Sequence, residues 1–539
     1  MALGCGPSQA RQPTARVVEV QPSGPEVPAN LLRISMRFAA SVEGALLPRL
    51  SLVRMNFPWA LSQVKRCIGA ALCAASLAGC AVGPDFAKPV NGLHDLAPTR
   101  RQDDAGVPTT TDAGVPSRWW MLFDDAVLAD LELRAHDRNL DLQMASERIE
   151  QSRAQLGITS ADLLPSVGAG ASYAREALSE HGKFAALGAP TRPSDFWQLG
   201  IDASWEIDLW GRARRAREGA AASLEATLYD REAMRVALSA EVARTYLELR
   251  GTQAQMDIAQ QNLVVAERLV GLAESRGRNG IATRFEISSA LAQLGTIKST
   301  IPGLTEHRNA LMNALALLLG DEPRALDAQL RGTMPLPSLP ASVPVGITSE
   351  LAHRRPDILR AEAQLHAAVA SIGVAKADFY PRIGLRGRVG LEAFEFGDLA
   401  SWDSRFFSVG PTVYLPIFQG GRLVQRLALS EARQREAALA YRQTVLRAWH
   451  EVDNALDALA ARERQHAELL ASYEQNRQAL RVAERGYQEG AADYLSVLTA
   501  QRNVFASQSS LNASATGATL ALVHLYKSLG GGWDPEARP

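Results

Sequence analysis

The 539-residue chain is poor in the groups that most chemistry needs. Its cysteines, Cys5, Cys67, Cys73 and Cys80, all fall in the first 80 residues, so the rest of the chain forms no disulfide. The nine histidines are scattered, and none sits in an HExxH or His/Cys spacing, so no metal ligand set is expected. No Gly-Lys-Ser/Thr loop is present, which excludes the usual nucleotide engine. Basic and acidic residues nearly balance at 57 against 58, so the basic excess of a nucleic-acid binder is missing. No apolar run approaches the roughly 20 residues that a spanning helix requires. Glu206 and Asp208 resemble a glycosidase pair only in being two carboxylates, because they share one strand face and imply no cleft. No catalytic residue and no cofactor are expected.

What the sequence does have begins at the N-terminal end. Segment 65–80, KRCIGAALCAASLAGC, reads as a basic n-region, a short apolar stretch and a small-residue cleavage site, the pattern of a secretory signal. Its end, Leu77-Ala78-Gly79-Cys80, resembles the lipobox of bacterial lipoproteins. That resemblance implies an N-acyl diacylglycerol cysteine at Cys80. Ala81, standing where Asp marks inner-membrane retention, implies sorting to the outer membrane. Each buried acyl CH₂ contributes about 0.8 kcal/mol of anchoring to outer-membrane lipid. Residues 1–54, rich in Pro and Arg, are expected to be a mis-annotated, disordered extension, with Met55 the initiator. Residues 55–79 then form the signal peptide, and 80–118 an extended linker.

Four later segments alternate with period two, as strands with one apolar and one polar face must. In 196–209, Trp197, Leu199, Ile201, Ala203, Trp205, Ile207 and Leu209 alternate with polar or small residues that include Asp202, Glu206 and Asp208. In 382–395, Ile383, Leu385, Val389 and Leu391 alternate with Arg386, Arg388 and Glu392. Segments 405–417 and 166–176 follow the same rule. These lengths suit tilted membrane strands of about 9–11 residues. Asp202, Glu206, Asp208, Arg386 and Arg388 are expected to face a water-filled lumen.

The chain also repeats itself. ITSADLLPSVGAGASY answers GVAKADFYPRIGLRGR, and RGRNGIATRFEISSALAQL answers RGYQEGAADYLSVLTAQRN. The first repeat, 119–335, carries a helix, strands 166–176 and 196–209, a long helix 212–276 and a helix 281–320. The second, 336–530, carries a helix 349–378, strands 382–395 and 405–417, a long helix 422–487 and a helix 490–529. Residues 531–539 are a tail. Each long helix spans roughly 100 Å at 1.5 Å per residue. Their small, Ala-rich stripes permit close helix–helix approach.

Four strands cannot close a barrel, and an open edge in lipid leaves unpaired backbone groups. The expected fold is therefore an α+β membrane protein. Three chains contribute four strands each to a trimeric 12-stranded transmembrane β-barrel, which a long α-helical barrel continues into the periplasm. The alternative is a lipid-anchored periplasmic coiled-coil scaffold without a pore, which has no need of strands with one greasy and one charged face.

Several motifs together resemble the TolC-like outer membrane factors, in their OprM/NodT-type lipoprotein branch. They are Gly79-Cys80 with AVGPDFAKP, Trp119-Trp120, WEIDLWGR at 205–212, HRRPD at 353–357, Tyr380-Pro381, Pro416-Ile417-Phe418 and LYKSLGGGW at 525–533. The resemblance spans about residues 77–534. It implies a homotrimeric exit duct of a tripartite efflux system, with a periplasmic adaptor protein and an inner-membrane RND-type pump as partners. It also implies a periplasmic gate within Gly490–Arg502. There Leu495 matches the apolar constriction, Thr499 stands where Asp is usual, and Asp493 and Arg502 are expected in polar contacts nearby. Arg212 and Arg422 are expected at the junctions between strand and helix.

Overall fold

The computed structural model describes residues 81–89, 109–111, 114–189, 191–340, 342–346 and 354–534. The extension 1–54, the signal peptide, Cys80, most of the linker, the start of the helix expected from 349 and the last five residues lie outside them.

Local rules place the helices. Helix α1, Ala126–Arg138, begins where the Asp125 carboxylate accepts the backbone N–H of Val127 and Leu128. The Asn139 side chain caps α2, Leu140–Ala161, in the same way through Leu142. Such caps satisfy N–H groups that the first helical turn leaves open. The long α3, Arg212–Arg278, runs 67 residues without proline and starts after Gly211 at φ 79°. Helix α4, Arg284–Leu318, opens with a reciprocal capping box of Thr283 and Glu286. A short α5, Asp327–Leu330, follows.

The second half repeats this layout. Helix α6, Pro356–Ala377, has 22 residues like α2. Helix α7, Arg422–Gln488, has 67 like α3 and also follows a left-handed glycine, Gly421 at φ 82°. Helix α8, Tyr494–Ser528, has 35 like α4 and is capped by Asp493. Of the helix expected over 349–378, residues 349–353 lie outside the described residues, and α6 covers Pro356–Ala377.

Between the helices lie β2 (Ser166–Glu176), β3 (Ser194–Ile207), β5 (Arg382–Ala393) and β6 (Arg405–Tyr414). They form one antiparallel sheet in the order β2-β3-β5-β6. β1 (Thr109–Thr111) and β4 (Ser342–Pro344) make a separate parallel pair, too short to leave a periodic signal in the sequence.

The register of the large sheet separates an apolar from a polar face along its central rows. One row joins Val413, Ile383 and Ile207, and another joins Phe407, Val389, Ile201 and Ala169. The alternate rows join Ser408, Arg388, Asp202 and Gly168, and Gly410, Arg386, Ser204 and Ser166. The apolar face is uncovered: Val413 is 69% exposed, Phe407 80% and Val409 70%. Strands β2 and β6 each pair on one side only among the described residues.

The main core sits around the middle of α3. Trp119 stacks on Tyr526 at 5.4 Å, with Leu128, Tyr246, Leu247, Leu315 and Leu522 packed in the same cluster. A smaller core of Val270, Ala273, Ala290, Tyr487, Tyr494, Val497 and Leu498 joins the far ends of α3 and α7 to α4 and α8. Helix α7 is far less covered than α3. It buries only Tyr441, Ala448, Val452, Ala455, Leu459, Ala460 and Tyr487, and it leaves Leu439 and Val482 two-thirds exposed.

Candidate functional site

The polar face of the sheet carries a linked set of side chains. The Arg388 guanidinium donates to Gln198 Oε1 at 2.9 Å, and Gln198 Nε2 donates to Glu392 Oε2 at 3.3 Å. Asp202 is the cross-strand neighbour of Arg388, and Arg386 the neighbour of Ser204, both exposed. Phe406 lies on this same face. Its ring lies across Gly390 and Gly200, where an added Cβ at Gly390 would come within 2.9 Å of it, and Arg388 sits over it at 5.2 Å. Sequence alternation missed Phe406, because an aromatic residue among polar ones gives no sign of its face until the glycine row beneath it is paired.

The carboxylates nearer the helices behave differently. Glu206 is on the polar face but pairs with Arg212 at 3.0 Å, tying strand to helix. Asp208 is a correction to the sequence reading. Strand β3 ends at Ile207, and the Asp208 carboxylate accepts the backbone N–H of Ala213 and Arg214 at 3.1 and 2.9 Å. It caps α3 instead of facing a lumen, because alternation persists by chance through Leu209 while the backbone has already left the sheet.

At this junction Trp210 stacks on Tyr380 at 4.8 Å and donates its indole N–H to Pro381 O. Amphipathic aromatic rings of this kind gather at the edges of an apolar membrane band.

The second region is the far end, where α3 turns into α4 and α7 into α8. Leu495, Thr499 and Arg502 all lie on the uncovered face of α8, with Leu495 48% exposed. Tyr494, Val497, Leu498 and Gln501 point the other way and are buried. Asp493 accepts from the Ser496 hydroxyl and backbone N–H, and those hydrogen bonds hold its carboxyl below the usual range. Its polar contact is with Ser496, through which it caps α8.

A cleft of about 160 Å³ opens between the two turns, lined by Thr283, Phe285, Glu286, Asp493, Leu495 and others. Phe285, 66% exposed, was missed by the sequence reading. The signal was there: Thr283 and Asp493 are equivalent caps, so Phe285 and Leu495 are equivalent positions of the repeat. Behind the cleft Arg276 sits over the Tyr487 ring at 4.4 Å, and Tyr487 packs on Tyr494 at 5.7 Å. Burial pushes the Tyr494 phenol up to about 12, and its hydroxyl is buried without a partner.

One grouping invites a catalytic reading and fails it. Ser239 Oγ lies 2.7 Å from His136 Nε2, and Glu132 lies 3.8 Å from the same nitrogen. A relay needs the acid on the other ring nitrogen. Glu132 and Ser239 are also fully buried, out of reach of a substrate. Burial pushes Glu132 well up and His136 down to about 4, so the imidazole carries no charge near pH 7 with which to pair the carboxyl. Among the described residues no cluster of His, Cys, Asp and Glu is arranged to hold a metal ion.

Comparison with known proteins agrees with this geometry. The Outer membrane efflux protein family matches residues 133–321 and 347–531. The chain is 33% identical to Outer membrane protein OprJ of Pseudomonas aeruginosa, across 87% of this chain and 96% of that one. It is 31% identical to the Toluene efflux pump outer membrane protein TtgF of Pseudomonas putida, across 85% and 95%. Among solved structures, the outer-membrane channel OprN superposes with a TM-score of 0.78 at 32% identity, covering 84% of this chain and all of that one. The Neisseria gonorrhoeae MtrE outer membrane channel superposes at 0.71 with 28% identity, covering 84% and 98%. The chain belongs to the outer membrane efflux protein family.

Proposed function

We propose that the chain is the outer-membrane exit duct of a tripartite efflux system and works as a homotrimer. One observation carries this reading: a four-stranded sheet with an exposed apolar face, a charged opposite face and two edges that pair on one side only. In lipid each unpaired backbone group costs several kcal/mol, so the edges require strands from other copies. Two copies make a barrel of about eight strands filled by its own side chains, whereas three leave an open lumen for Asp202, Arg386 and Arg388. The uncovered face of α7 supports the same assembly, with helices of neighbouring copies completing a periplasmic barrel. A periplasmic adaptor and an inner-membrane pump of the RND class deliver the cargo, and the duct itself performs no chemistry.

Leu495 narrows the periplasmic end as an apolar constriction that gates by dewetting. Thr499 and Arg502 line the same face, and three Thr499 residues in a trimer add no carboxylate ring. An N-acyl diacylglycerol group on Cys80 anchors each copy in the outer membrane. Relatives are named for pyoverdine export, toluene efflux and cation efflux, a spread that assigns this chain no single cargo.

The test is purification from outer-membrane fractions followed by planar-bilayer recording. A trimer that conducts, and that conducts more with Leu495→Ala, supports the reading. A non-conducting monomer sinks the duct, and unchanged conductance in Leu495→Ala removes the gate.

A further inference from the structure

Arg250 of α3 is a fully buried cation that no carboxylate pairs with among the described residues. Its Nη1 donates to Gln253 Oε1 at 2.8 Å and to Gly332 O at 3.1 Å. Its Nη2 donates to the Met334 thioether at 3.5 Å, and its Nε is buried with no acceptor. The guanidinium also sits over the Tyr246 ring at 4.8 Å. Each of these partners is neutral. Gln253 Nε2 in turn donates to Leu330 O at 2.5 Å, and the Thr333 hydroxyl donates to Asp257 at 3.4 Å. Segment 330–334, which leads from α5 toward β4, is therefore pinned to α3 largely through Arg250 and Gln253.

The weakest of these links is the one to sulfur, because a thioether is a poor acceptor. A buried guanidinium gains most from a strongly polar acceptor, since a low local dielectric strengthens each hydrogen bond. The Met334 side chain is also open to solvent, at 43% exposure, while Arg250 and Gln253 are buried. Met121 and Met144 are exposed as well, at 57% and 50%, but among the described residues no guanidinium reaches their sulfur. A chain of the outer membrane lies outside the reducing cytosol. Oxidation of an ordinary packed methionine disrupts its surroundings, because a polar S=O enters an apolar place. At Met334 the same change sets an oxygen acceptor beside a buried donor that has only sulfur.

We propose that Met334 is a reversible oxidation site whose sulfoxide locks segment 330–334 onto α3. A sulfur lone pair attacks one oxygen of hydrogen peroxide, the O–O bond breaks, and that oxygen stays on sulfur as S=O. Its proton passes to the departing hydroxide, which leaves as water. The thioether is oxidised by two electrons and the peroxide is reduced. The sulfoxide oxygen then accepts from Arg250 Nη2 in a charge-assisted bond. A methionine sulfoxide reductase reverses the change, taking two thiols to a disulfide and releasing the oxygen as water. The lock stands on contacts between α3 and the segment that follows α5, and it is independent of the exit-duct reading.

Trypsin treatment of the purified full-length protein in detergent tests this, with fragment masses reading which methionines carry oxygen. Arg331 is exposed, and cleavage after it requires segment 330–334 to lift from α3, so the rate follows the undocked fraction. After hydrogen peroxide, native protein is expected to carry oxygen on Met334 and to be cut after Arg331 roughly threefold slower, because a charge-assisted bond replaces a thioether one. Sulfoxide reductase with a thiol is expected to restore the first rate. Met334→Leu takes up no oxygen there and is expected to be cut at one rate before and after peroxide, although Met121 and Met144 oxidise in it as in native protein. Met334→Gln, whose amide oxygen is a permanent acceptor, is expected to be cut slowly without peroxide. A Met334 that stays a thioether while Met121 and Met144 oxidise overturns the site. The lock is overturned by native cleavage that is unchanged or faster on oxidation, by peroxide slowing Met334→Leu, or by Met334→Gln being cut as fast as Met334→Leu.

Discussion

Phe285 and Leu495 stand two residues past the equivalent caps Thr283 and Asp493, and they line one cleft. The cleft beside the proposed gate is therefore lined from both halves of the repeat. Leu495→Ala alone leaves Phe285 in place, and Phe285→Ala leaves Leu495. Each single change is expected to raise single-channel conductance, and the double change is expected to raise it by less than the product of the two. That shortfall marks coupled neighbours. A conductance unmoved by Phe285→Ala, with Leu495→Ala active, would assign the constriction to α8 alone.

The tie between the two turns suggests a further effect. Arg276 over Tyr487 links α3 to α7 next to the cleft, and a cation–π contact of this kind contributes about 0.5–1 kcal/mol. Arg276→Ala is expected to lengthen open dwell times in bilayer recordings without changing the conductance of the open state. Arg276→Lys keeps the charge but loses the planar stack, and it is expected to fall between native and alanine.

Much of this architecture was legible because its physics is periodic. Trp197, Leu199 and Ile201 alternate with Gln198, Gly200 and Asp202, and the sheet pairs them face by face. The repeat was legible because Gly280 and Gly490 punctuate equivalent turns at φ 71° and 74°. Where pattern and backbone part company, the reading failed. Asp208 continues the alternation after the strand has ended, and nothing local marks the change before the left-handed Gly211. Leu415 and Ile417 likewise extend the apolar pattern beyond β6, which stops at Tyr414 ahead of Pro416. The contacts of residues 81–89 depend on Gly211, Arg215, His366 and Gly373, which no local pattern connects to them.

Asp208 and Arg386 make a discriminating pair for ion selectivity. Arg386 lies exposed on the polar face of the sheet, whereas Asp208 is 11% exposed and committed to the first turn of α3. Arg386→Glu replaces a positive with a negative group in each copy, and it is expected to shift the reversal potential in a salt gradient toward cation preference. Asp208→Asn is expected to leave that potential where it was. Asp208→Ala is expected to cost about 1 kcal/mol in thermal unfolding through the lost cap. A reversal potential that moves with Asp208 and not with Arg386 would restore the lumenal assignment of Asp208.

The buried pair Glu132 and His136 ties stability to pH in two opposite directions. Burial lowers His136 from 6.5 to about 4, with the nearby positive charges of Arg235, Arg118 and Arg231 adding to it and Asp137 opposing. The unfolded chain therefore binds a proton below pH 6.5 that the folded chain refuses until about pH 4. Stability from this group is complete above pH 6.5 and falls as the pH drops toward 4, by up to about 3 kcal/mol at 1.36 kcal/mol per unit. Glu132 acts the other way. Its raised folded value means that the unfolded chain loses a proton above pH 4.5 that the folded chain keeps, so stability falls as the pH rises from there. Replacing Glu132 by Gln keeps the shape and removes the proton, so Glu132→Gln is expected to raise the melting temperature at pH 8 and leave it nearly unchanged at pH 4.5. His136→Gln is expected to flatten the loss between pH 6.5 and 4. Melting curves of the purified protein across pH 4–8 check both, and parallel curves for native and variant proteins would remove the pair from the pH dependence.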